Sequence, residues 1–281
     1  MKIERPTRKF IDDQLVIKDW SSISPYFEDL LNRTLNSKED FLLWLSDQSE
    51  LEAILEEDSA WRYIKMSIDT TSEELSKSYS FFVSEIQPKI APFEDQLNRK
   101  LNDVSYTKEL EGDPAYSILF RSVRKSLELY QEKNIPIISA VDEESQKYGA
   151  IAAAQSIEFK GEKMTMQKAS QLLKETDESI RKEAFLKITE RRMQDVDAFD
   201  ELFDSLLKKR HEIALNAGFK NFRDYKMEAL GRFDYSVQDC YDFHTSVKSV
   251  IVPIAKRIQE ERLALLGKDK FKPWDLEVDP E

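Results

Sequence analysis

Apolar side chains recur at helical spacing in almost every segment of this chain, and that periodicity constrains the fold more than any other feature. Leu75, Tyr79, Phe82, Ile86 and Ile90 form one series; Tyr116, Leu119, Phe120, Val123, Leu127 and Tyr130 form another. Residues three and four apart share a helix face, so each series predicts an amphipathic helix with its stripe in a core. The clearest case is Phe199, Leu202, Phe203, Leu206, Leu207, Ile213, Ala214 and Ala217, ended by Gly218, which takes a left-handed C-cap freely. Burial of that face predicts a loss of about 3 to 5 kcal/mol for Phe203→Ala.

Only six glycines, with 41% hydrophobic and 34% charged residues, agree with a globular, mainly all-α protein. The 281 residues suit one large domain or two smaller ones. No repeat or low-complexity stretch interrupts them, so the expected architecture is an irregular multi-helix assembly. Its one β element is a small hairpin near residues 154–164, where Ser156, Ile157, Glu158 and Phe159 alternate before Lys160-Gly161. Thr165 and Thr176-Asp177 are expected to cap the next two helices. The last long helix runs from Ser236 to Gly267 with a core stripe of Phe243, Val247, Val250, Ile254, Ile258 and Leu265, bent at Pro253. Pro25, Pro92, Gly112-Asp113-Pro114 and Asn134-Ile135-Pro136 read as breaks between helices. In sequence order this gives an N-terminal helical region (1–110), a small helical lobe with the hairpin (111–195) and the start of a further helical domain (196–281).

The formal charge of −12 comes from 54 acidic and 42 basic residues and argues against nucleic acid or anionic lipid as a partner. It leaves room for an acidic cleft that takes cationic peptides. The best apolar run, Ala150-Ile151-Ala152-Ala153-Ala154, falls far short of the ~18 residues of a membrane span. With one cysteine, Cys240, and no charged-then-apolar leader after Met1-Lys2-Ile3-Glu4-Arg5, a soluble protein of the cytoplasm is the expectation.

The chain has two histidines, His211 and His244. His211-Glu212 opens like the zinc-peptidase signature, in which two histidines four apart share a helix face and the glutamate between them activates water. The fourth residue on is Leu215, which cannot ligate a metal. Cys240 and His244, four apart on one helix, lack further ligands nearby. No glycine-rich phosphate loop or Gly-x-Ser-x-Gly elbow is present. Acidic runs such as Glu56-Glu57-Asp58 and Glu143-Glu144 read as solvated helix faces. The residues alone therefore assign no catalytic, cofactor-binding or metal-binding role to any position, and His211→Ala is expected to leave metal content unchanged.

From the hairpin onward the chain resembles the oligoendopeptidase F branch of the thimet-oligopeptidase-like zinc metallopeptidases. The resemblance is carried by Lys160-Gly161-Glu162-Lys163-Met164-Thr165, Leu172-Leu173, Asp177 to Arg181 and Ala184. It continues through Arg210, Ala214, Ala217-Gly218-Phe219, Asn221-Phe222, Asp224-Tyr225, Arg232-Phe233-Asp234-Tyr235, Val252-Pro253 and Lys272-Pro273-Trp274-Asp275-Leu276. It implies a helical shell whose two halves close around a channel, so that only short peptides reach a buried zinc. In that family the His-Glu-x-x-His helix and a later glutamate ligand lie beyond the Trp-Asp segment. The resemblance therefore implies that this chain supplies walls rather than chemistry, is inactive alone, and belongs with a missing C-terminal catalytic half that holds the zinc. The ending Val278-Asp279-Pro280-Glu281, without a closing helix, agrees with that expectation. The alternative is a non-catalytic helical scaffold that binds a partner where the catalytic half would sit, marked by uncovered apolar surface around Trp274 and Phe233.

Overall fold

The computed structural model describes residues 8–280, so the expectations placed on Met1 to Arg5 and on Glu281 lie outside the described residues. By its contacts the chain divides into two units, residues 1–146 with 206–231 and residues 147–205 with 232–281. Each unit is discontinuous in sequence, whereas the three regions read from the sequence are consecutive. Two of the three divisions fall inside helices, α7 (Ile135–Ala153) and α10 (Val196–Asn216), and the third, after Gly231, falls between helices.

The first unit holds α1 (Ser24–Asn32), α2 (Lys38–Ile68), α3 (Glu73–Phe81), α4 (Gln87–Asp103), α5 (Ser105–Leu110), α6 (Pro114–Leu129) and α11 (Phe222–Ala229), with parts of α7 and α10. Ser37 and Asp40 form a reciprocal capping box that starts α2, and Asp113 caps α6 just ahead of Pro114. The core joins Phe27 and Leu30 of α1, Phe41, Trp44 and Leu51 of α2, Leu97 and Leu101 of α4, and Phe120 of α6. Trp44 is fully buried, and its indole Nε1 donates to the Leu30 carbonyl at 2.9 Å, so the ring enters the core without an orphaned donor. Lys100 Nζ donates to the carbonyls of Leu30 and Leu31 at 2.8 and 2.9 Å, placing a cation at the negative end of α1. Glu50 of α2 accepts from the backbone N–H groups of Lys9, Phe10 and Ile11, which fastens the leading segment to the helix.

The second unit holds β1 (Ser156–Phe159), β2 (Glu162–Thr165), α8 (Met166–Gln171), α9 (Glu178–Met193), α12 (Val237–Ser246) and α13 (Val252–Leu265), with the remainder of α7 and α10. The hairpin is antiparallel with Phe159 opposite Glu162, and Lys160 and Gly161 both have positive φ (50° and 82°), as a two-residue type I′ turn requires. Its inward side chains, Ile157, Phe159 and Met164, pack on Met166, Ala169, Ala184 and Ile188. Thr165 caps α8 and Asp177 caps α9, as the sequence predicts.

Four expectations need correction, the first being Leu119 of the α6 series, which is exposed rather than in the core. Pro92 does not break a helix: it lies inside α4, where it removes the N–H that would bond to the Pro88 carbonyl while the helix continues to Asp103. In α10, Leu202, Leu206, Ile213 and Ala214 are buried, but Phe203 is 61% exposed and Leu207 is exposed too. The stripe spans more than one face, and the packed face is the leucine one. The stripe on α12 and α13 is not core among the described residues: Phe243, Val250, Ile254, Ile258 and Leu265 are all exposed. The irregularity in that region also precedes Pro253, as a π-helical turn over Val247–Ile251 in which Val252 N–H bonds to the Val247 carbonyl. A second π turn, Phe82–Ile86, likewise runs into a proline, Pro88, so both wide turns sit where the next turn loses a donor.

Candidate functional site

Metal chemistry in a peptidase of this kind would draw on histidine, of which the chain has two. His211 lies on α10 and His244 on α12, both exposed, and Cys240 is partly buried one turn before His244. Leu215, one turn after His211, is exposed as well. Among the described residues no three of His, Cys, Asp or Glu converge into a group able to hold a metal ion. These residues do not fit a zinc site, which takes at least three protein ligands of suitable chemistry.

The residues that carry the family resemblance are brought together for a different purpose. Arg181 on α9 is fully buried, and each nitrogen of its guanidinium donates: Nη2 to Asp275 Oδ1 at 2.8 Å, Nε to the Trp274 carbonyl at 3.1 Å, and Nη1 to the carbonyls of Glu175 and Thr176. Asp275, equally buried, also accepts from Lys268 Nζ and from the backbone N–H of Lys272. Burial alone would raise the Asp275 carboxyl, but Lys268 and Arg181 hold it below the usual carboxylate range. Trp274 Nε1 donates to Glu178 at 3.1 Å, and its ring packs on Phe185. This network fastens the Lys272–Leu276 segment to α9. Gly218, at φ 85°, ends α10 in a Schellman arrangement, with Phe219 N–H bonded to the Ala214 carbonyl at 2.9 Å, and Asn221 then caps α11.

A recess with a volume of about 590 Å³ lies in the first unit, between α2, α4 and α6. Gln48 and Glu52 reach it from α2, Glu94 and Asn98 from α4, Ser122 and Ser126 from α6, and a smaller recess continues past Glu94 toward Tyr130 and Tyr225. The Glu94 carboxyl is pushed up to about 7, first by the protein around it and then by Glu52 and Glu56. Glu94 itself is exposed at the mouth of the recess, so water screens much of that effect. Glu52 is raised by the same surroundings, opposed by the hydrogen bond it accepts from Gln48. Sequence reasoning missed this site. Gln48, Glu52 and Glu56 do stand at i, i+4 spacing on one face of α2, but Glu94 comes from another helix, and periodicity does not pair helices.

The profile of the peptidase M3 N-terminal domain matches residues 10–130, and that of peptidase family M3 matches residues 171–279. No curated protein matches the chain in sequence. Among solved structures, a protein assigned as an oligoendopeptidase F superposes with a TM-score of 0.87 at 23% identity, over 97% of this chain and 48% of its own. PZ peptidase A, solved with an inhibitor, gives 0.86 at 24% identity over 95% and 48%. An assigned oligoendopeptidase F from Bacillus anthracis str. Ames gives 0.86 at 22% identity over 95% and 49%. At these identities the structures speak to the fold, and this chain spans about half the length of each. Two profiles of one family, matched in order over most of the residues, make the assignment: the chain belongs to peptidase family M3.

Proposed function

We propose that this chain is the N-terminal, substrate-enclosing part of a zinc-dependent oligopeptidase that hydrolyses short peptides in the cytoplasm, and that the zinc and its ligands come from a C-terminal catalytic half. The observation that carries this reading is the pairing of an M3 N-terminal domain with an M3 peptidase segment in a sequence whose two histidines stand on separate helices. The exposed apolar stripe of α12 and α13 supports it, because an uncovered face of that extent marks a surface meant for contact. Enclosure supplies selectivity: a narrow channel excludes folded proteins, sheds water from the reacting groups and aligns an extended peptide.

The test is metal analysis and cleavage of a quenched fluorescent oligopeptide, by this chain alone and by the chain combined with a half bearing a His-Glu-x-x-His helix. The expected result is neither zinc nor turnover alone, and chelator-sensitive turnover in combination. Stoichiometric zinc on the 281-residue chain would overturn the reading. The scaffold alternative rests on the same exposed stripe and on exposed apolar residues beside Trp274 and Phe233, namely Leu276 and Tyr235. A partner that binds that stripe with no gain of peptidase activity would favour it.

A further inference from the structure

We draw no further inference here: the strongest candidate, the exposed apolar face of α12 and α13 formed by Phe243, Val250, Ile254, Ile258 and Leu265, carries none, because nothing in the structure shows what covers it.

Discussion

Arg181 and Asp275 stand 94 residues apart in sequence and form an ion pair from which water is excluded. Removing one partner leaves the other charged and buried, so Arg181→Ala should cost about 3–5 kcal/mol, read as a lower urea midpoint. Phe203→Ala should behave in the opposite way to the expectation from periodicity. With 61% of the residue exposed, the loss should stay within about 1 kcal/mol, and an unchanged urea midpoint is the check. Glu94 couples stability to pH. Its carboxyl titrates near 7 in the folded chain against an ordinary 4.5, so between those values the folded state keeps a proton that the unfolded state has lost. The stability it contributes is full below about pH 4.5 and is lost as pH rises through 7. Glu94→Gln does not titrate. It should match the parent near pH 4 and exceed it at pH 8 by about 1 kcal/mol, a modest figure because water in the open recess screens the charge.

At the scale of the helix and the turn, the parts legible in the sequence are those set by local chemistry. Thr165, Asp177 and Ser236 each cap the helix predicted for them, because a side-chain oxygen and the N–H groups two or three residues on are all the motif needs. Lys160-Gly161 turns the hairpin for the same kind of reason, as does Gly218 at the end of α10. What the sequence leaves open is which apolar face is covered. Phe203 and Leu206 share one helix, yet only Leu206 is buried, since covering depends on elements distant in sequence. The acidic recess escaped for that same reason: α2, α4 and α6 each contribute ordinary polar residues, and only their packing makes a site. The first hundred residues show a helical style without family motifs, so membership there rests on the profile of the M3 N-terminal domain rather than on any short signature.

For the molecule as a whole, two forces act in opposite directions. A net charge of −12 makes copies repel one another, while Phe243, Val250, Ile254, Ile258 and Leu265 present apolar surface along α12 and α13 that would gain from being covered. The balance shifts with salt, because screening shortens the reach of the charge from about 30 Å at 0.01 M to about 3 Å at 1 M and leaves the apolar contact intact. Sedimentation velocity should therefore show a single species at low salt and concentration-dependent association at high salt. Polar replacement at two exposed positions, Phe243→Ser with Ile258→Ser, should abolish that association and leave the thermal midpoint nearly unchanged, since both side chains are largely exposed. If the double variant still associates, the contact surface lies elsewhere; if its midpoint falls sharply, the stripe is packed in solution. Association that grows with salt and disappears with the substitutions would identify the exposed face of α12 and α13 as a contact surface of this chain.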